Sequence, residues 1–191
     1  MKEITPHPGR TVEKWNNRNY DSIIKKSLPP RIIKDLKNFR DIKCPEMMEG
    51  QSLYIYGANR TGKTLVAASL LMEQFKKNYL LAETYNSYFV KMPDLLEEIK
   101  QSFGRYNEAD VLERYINCEL LVLDDFAITK PTDWTYQTLY RLIDTRYENI
   151  KPIVFTANIS LDELETLYGD TRLTSRIKRM GNIIHKKPFI V

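Results

Sequence analysis

The chain has 191 residues, 42% of them hydrophobic and 28% charged, with a formal net charge of +4, a balance that describes one α/β-sized domain with room for a core and excludes a disordered or fibrous chain. No run approaches the roughly 18 apolar residues of a membrane span, and "MKEITPHPGR" lacks the apolar stretch of a signal peptide, so a cytoplasmic protein with no membrane partner is expected. Cys44 and Cys118 stand far apart without CxxC spacing, which reads as two reduced, packed thiols rather than a metal site or a disulfide.

Positive charge collects at the two ends. Residues 1–43 hold 11 Lys/Arg against 5 Asp/Glu, and residues 171–191 hold six against none, leaving an acidic middle. Basic ends suit a nucleic acid or an acidic partner, and they equally describe solvated surface. The first 30 residues, interrupted by Pro6, Pro8, Pro29 and Pro30, read as an arm with one short helical piece at "YDSIIKKS". "PRIIKDLKNF" predicts a short linker helix. A basic arm and linker helix over residues 1–48 is therefore set apart from a core over 49–191.

The core opens on a strand, "LYIYG", that runs into "GANRTGKT". Glycines at 57 and 62 let successive N–H groups of Gly57, Ala58, Asn59, Arg60, Thr61, Gly62, Lys63, Thr64 and Leu65 turn inward as an anion cradle at a helix N-terminus. Lys63 would reach the β- and γ-phosphates of ATP, and Thr64 would offer its hydroxyl to Mg²⁺. The helix "KTLVAASLLMEQFKK" follows, apolar nearly all round. Next come a strand within "YLLAETYNSYFVKM", a helix starting near Pro93 ("DLLEEIKQSF"), and a second helix, "EADVLERYI".

"ELLVLDD" is a continuous apolar strand ending in two acids, as a central parallel strand buried on both faces requires. Asp124 stands where a carboxylate can hold Mg²⁺ beside Thr64, usually through water, and Asp125 is the candidate for polarising the attacking water. Adjacent strand residues point to opposite faces, so this division of labour requires the strand to end there. The helix "DWTYQTLYRLIDTRYEN" carries Leu139, Leu142, Ile143 and Tyr147 at three- and four-residue steps. Beyond it, "PIVFTAN" brings Asn158 level with the two acids, where an amide can bond the γ-phosphate or orient the water without adding charge. "NISLDEL" contains a capping pattern, Ser160 with Glu163. Two helices, "SLDELETLYG" and "TRLTSRIKRM", and a last strand near "NIIHKKPFIV" complete an alternating series. The fold class is a parallel sheet with helices on both faces, binding ligands beyond the C-terminal strand ends.

In order and approximate spacing, "GANRTGKT", "VKMPDLLEEIKQSF", "LLVLDDFAITKPTDWTYQTLYRLIDTRYEN", "PIVFTANISLDEL" and "GDTRLTSRIKRM" resemble the AAA+ ATPases of the DnaC/IstB type, helicase loaders and transposition helper ATPases, over about residues 50–180. The resemblance implies a P-loop NTPase, a three-layer αβα sandwich with a five-stranded parallel sheet of order 5-1-4-3-2. By the same resemblance Asn158 is sensor I. Arg176 takes the place of an arginine finger acting on a neighbouring subunit, with Arg172 in support, which implies a homo-oligomer. The implied single-stranded-DNA contacts are Phe103 and Thr132. Phe103 lies beside Lys100, Arg105 and Tyr106, the ingredients for stacking an unpaired base in a positive groove, and Lys130 could add a phosphate contact. The implied protein partner is a replicative helicase or a transposase or recombinase. Only 56 residues precede Gly57, so an AAA+ core without the family's N-terminal helicase-binding domain or an evident lid is expected.

The favoured expectation is an ATPase that assembles on single-stranded DNA as a helicase loader in DNA replication. Three alternatives stand beside it: a transposition helper ATPase, a small-molecule kinase built on the same loop, and an adaptor that binds ATP without hydrolysing it.

Overall fold

A computed structural model describes residues 27–38, 42, 44–81, 86–102, 108–126 and 131–187. Its strands are β1 (Ser52–Tyr56), β2 (Ser87–Lys91), β3 (Leu120–Asp124), β4 (Ile153–Ala157) and β5 (Gly181–His185). All pairings are parallel, in the order β2-β3-β4-β1-β5, as the resemblance implies. The helices are α1 (Pro30–Asn38), α2 (Lys63–Leu81), α3 (Met92–Ser102), α4 (Glu108–Asn117), α5 (Asp133–Glu148), α6 (Leu161–Tyr168) and α7 (Thr171–Met180).

Strand alternation sorts the side chains into two cores. Leu53, Ile55, Leu120, Val122 and Val154 pack with Leu28, Ile32 and Ile33 of the α1 region and with Val66, Leu70, Leu71 and Phe75 of α2. Their sequence neighbours Tyr54, Leu121, Leu123, Ile153 and Phe155 face the opposite layer, among Leu95, Leu139, Leu142, Leu164 and Leu173. Period-two alternation in strands that are apolar on both faces produces the three-layer sandwich. The linker helix α1 packs against α2 in the same layer.

One element differs from expectation. Tyr79, Leu80 and Leu81, predicted to open the second strand, are the last turn of α2, and β2 starts at Ser87. No Gly or Pro interrupts residues 63–81, and Asn78 and Leu80 extend the buried face begun by Leu71 and Phe75. Propagating a formed helix is then cheaper than starting a strand.

The largest fully buried side chain lies at the opposite edge of the sheet from the loop. Arg146 of α5 is fully buried. Its Nη1 donates to the carbonyl oxygens of Tyr115 (2.7 Å), Ile116 (3.0 Å) and Cys118 (2.9 Å), and its Nη2 to that of Pro152 (2.6 Å). One guanidinium thus caps the end of α4, whose last carbonyls have no partner within the helix, and joins it to α5 and to the approach to β4. Arg146→Met keeps the bulk and removes every donor. With about 1–3 kcal/mol for each buried group left unpaired, we expect a loss of about 3 kcal/mol or more, and a melting temperature lower by roughly 10 °C in a domain of this size. An unchanged melting temperature would show that water replaces the guanidinium at no cost.

Candidate nucleotide site

All five strands run the same way, so their C-terminal ends share one edge, and the functional residues collect there. Gly57 and Gly62 adopt φ of 145° and 82°, and Arg60 of 62°, turning the loop back onto the start of α2. Gly57 has a second constraint, because a Cβ there would collide with the carbonyl oxygen of Lys186, just past β5. The main-chain N–H of Lys186 in turn donates to the Tyr56 carbonyl at 2.7 Å. The loop is therefore anchored on the β5 side by backbone contacts that no sequence motif announces.

Lys63 is 7% exposed. Its Nζ donates to the carbonyls of Gly57 (2.9 Å) and Ala58 (2.8 Å), curling the ammonium back over its own loop. Burial lowers its pKa, and the carboxylates of Asp125 and Asp124 oppose that shift. Ala58, Asn59 and Arg60 are exposed, while Thr61 is buried and donates to the Ala58 carbonyl at 3.0 Å. Leu65 packs against the α2-side core.

The structure brings Thr64 and Asp124 together, with the Thr64 hydroxyl donating to Asp124 Oδ1 at 2.8 Å. A second hydroxyl, from Thr156 of β4, donates to the same oxygen at 2.6 Å. Asp124 is 2% exposed. Burial raises its pKa, the hydroxyls of Thr156 and Thr64 hold it down, and Asp125 raises it further. A carboxylate and a threonine hydroxyl are hard oxygen donors that suit Mg²⁺. The described residues contain no group of three or more His, Cys, Asp or Glu able to cage a metal, so an ion here would be completed by phosphate oxygens and water, as Mg²⁺ prefers.

The expected end of β3 is present. Asp125 adopts φ of 55°, and its exposed side chain leaves the strand's alternation. Its N–H donates to Thr156 Oγ1 at 3.1 Å. Asn158 follows β4 and is exposed. The cap beside it is Ser160, in a complete capping box with Glu163, so Asn158 is not spent on starting the helix. Near the loop, Cys44, Pro45, Ile55, Val66, Ile184 and Lys186 line a cavity of about 290 Å³. Another, of about 250 Å³, lies beside Gly50 and Ile150 at the opposite edge, away from the loop.

The basic helix α7 is more neutralised than its sequence suggests. Arg172 pairs with Asp170 (2.6 Å), Arg176 with Asp144 of α5 (2.6 Å) and Lys178 with Asp162 (3.0 Å). The Arg176 guanidinium also lies 5.3 Å from the Tyr147 ring centroid. Within one chain Arg176 is tied to α5. Of the expected DNA contacts, Phe103 and Lys130 lie outside the described residues, as do Arg105 and Tyr106. Thr132 is the exposed N-cap of α5, accepting the Thr135 N–H at 3.2 Å. Both cysteines are free, and burial pushes the Cys44 thiol up to about 11 and raises that of Cys118. Sequence reasoning missed Thr156, Asp144 and the Lys186 carbonyl. Only Thr156 left a signal, since alternation from Val154 puts it on the same face as Asp124.

The family description "IstB-like ATP binding protein" matches residues 10–189. The chain belongs to that family. The family is ATP-binding, and the chain's relatives include a helicase loader, insertion-sequence proteins and chromosomal replication initiators, among them DnaA of Onion yellows phytoplasma (strain OY-M), 30% identical over 129 residues that cover 66% of this chain and 24% of that protein. The replicative helicase loader DnaI of Bacillus subtilis (strain 168) is 28% identical over 121 residues, covering 63% of this chain and 37% of that protein. The putative ATP-binding protein of insertion sequence IS232 from Bacillus thuringiensis subsp. berliner is 24% identical over 135 residues, covering 71% and 50%. This chain therefore spans half or less of the length of these two relatives. Among solved structures, the DnaC helicase loader superposes with a TM-score of 0.64 at 25% identity, covering 93% of this chain and 100% of that one. AMPPCP-bound DnaA from Aquifex aeolicus, at 18% identity and a TM-score of 0.62 over 81% of this chain and 45% of its own, shares the fold. The fold is that of AAA+ P-loop ATPases.

Proposed function

We propose that this family member hydrolyses ATP and assembles on single-stranded DNA to deliver a replicative helicase. The observation that carries the hydrolytic part is the hydrogen-bonded pair of half-buried Thr64 and buried Asp124 beside an exposed Asp125. It holds one hydroxyl and one carboxylate in reach of a metal, with a second carboxylate free for water. Bound Mg²⁺ would supply charge neutralisation between the β- and γ-phosphates. Lys63 would exchange its loop carbonyls for phosphate oxygens, Asp125 would hold and polarise the attacking water, and Asn158 would bond the γ-phosphate. The cavity lined by Val66 and Ile184 suits an apolar ring such as the purine. Family membership argues against the kinase alternative. The loader role draws support from the likeness to DnaI and DnaC. The insertion-sequence relative favours a second reading, a helper for a transposase.

ATP turnover measured across protein concentrations, with and without single-stranded DNA, tests the proposal. Turnover should rise with both. Asp125→Asn should keep ATP affinity and lose about 10²- to 10⁴-fold in turnover, the usual worth of a positioned general base. Wild-type turnover in that variant would move the water-activating role elsewhere. A chain that binds ATP and never hydrolyses it would be an adaptor. The loader and helper readings separate by which reaction the ATP-loaded chain stimulates, unwinding by a helicase or strand transfer by a transposase.

A further inference from the structure

Thr156 is 1% exposed in the middle of the sheet, on a strand that lies between the one feeding the loop and the one carrying the acids. Three consecutive residues at the end of β3 depend on it. Its hydroxyl donates to Asp124 Oδ1 at 2.6 Å and accepts the Asp125 N–H at 3.1 Å, and its carbonyl accepts the Phe126 N–H at 2.7 Å.

We propose that Thr156 is the positioning residue for both carboxylates, one hydroxyl fixing the rotamer of Asp124 and the backbone turn that aims Asp125. This rests on the reading of the site as an ATPase. A hydroxyl has one proton and two lone pairs. The proton goes to Asp124 and a lone pair takes the Asp125 N–H, so the same atom registers the metal-side acid against the water-side acid. Asp124 Oδ1 already accepts from Thr64 and Thr156, and a metal or its water would be left to Oδ2. Asp125 sits at a positive φ, uncommon for non-glycine residues and most tolerated by Asp and Asn. The bond to Thr156 holds the chain in that turn. Without it the strand can run on by one residue and carry the Asp125 carboxylate toward the other face. Because Asn158 directly follows Ala157, the last residue of β4, one run of three residues, 156–158, carries both the amide and the hydroxyl that holds the two acids. A displacement of Asn158 by a γ-phosphate would be passed to Asp125 within two residues.

The test compares Thr156→Val, which keeps the shape and removes the hydroxyl, with Thr156→Ser, which keeps the hydroxyl. Thr156→Val is expected to bind ATP within about threefold of wild type and to lose about 10- to 100-fold in kcat, the range typical of partners that orient metal ligands. Its Asp125 amide, protected from hydrogen exchange in the nucleotide-free wild-type chain, should exchange rapidly. Thr156→Ser should restore both kcat and protection. Should the valine variant not fold, Thr156→Cys, close in size and a weak hydrogen-bonder, is expected to show the same split between kcat and ATP affinity. Wild-type kcat in a folded Val or Cys variant overturns the proposal. So does a loss of kcat no larger than the loss of ATP affinity, or an Asp125 amide that stays protected without the hydroxyl. A wild-type chain that never turns over ATP overturns the ATPase reading and the proposal with it.

Discussion

Arg176→Ala is expected to bind ATP with near-native affinity and to hydrolyse it about 10³-fold or more slowly, the range associated with a supplied arginine finger. The guanidinium would neutralise charge on the transferred phosphoryl of a neighbouring subunit. An isolated chain would then have an incomplete site, and specific activity should climb with protein concentration. Within one chain Arg176 is bonded to Asp144 and lies against Tyr147, so acting on a neighbour requires the ion pair to open. Mixing Arg176→Ala with Lys63→Ala gives the decisive measurement. The first supplies a working nucleotide site and the second a working finger, so mixed interfaces should hydrolyse ATP where neither parent does. Full turnover by Arg176→Ala, or no rescue in a mixture shown to co-assemble, would make Arg176 a surface cation or a group acting within its own chain.

Lys63→Ala alone should weaken ATP binding by about 30-fold or more, since truncating one member of a buried, hydrogen-bonded charge pair costs about 2–5 kcal/mol. Fluorescent-nucleotide titration reads this directly. The variant should stay folded, because the Lys63 ammonium bonds the carbonyls of Gly57 and Ala58 within its own loop rather than joining separate elements of the fold. Unchanged affinity would remove the loop from the nucleotide site.

The layers and the loop were legible because their causes are local. Apolar runs such as "LLVL" and "IVF" require burial on both faces, and "GANRTGKT" carries its own glycines. The end of β3 at Asp124 was inferable from the chemistry demanded of two neighbouring acids, though not the positive φ by which Asp125 turns away. What escaped was set by pairings distant in sequence. Thr156 matters through a hydroxyl reaching β3, Arg176 is neutralised by a residue 32 positions away, and Gly57 is constrained by a carbonyl at the far end of the core. Arg146 escaped for another reason: a charged residue on a helix reads as solvent-facing, and only the orphan carbonyls of α4 explain its burial. The end of α2 was misread because a Tyr-Leu-Leu run satisfies either period until the preceding helix is known to continue.

The Arg146 clamp also has a mechanical consequence. An arginine does not deprotonate in the physiological range, so neither pH nor nucleotide can release the bonds with which it joins α4, α5 and the approach to β4. At the loop edge, the bonds of Lys63 to the carbonyls of Gly57 and Ala58 join groups that a bound phosphate can compete for. The sheet thus has a fixed end and a loose end. A movement driven by a bound nucleotide should therefore begin at the loop edge and leave the Arg146 edge, with α4 and α5, in place.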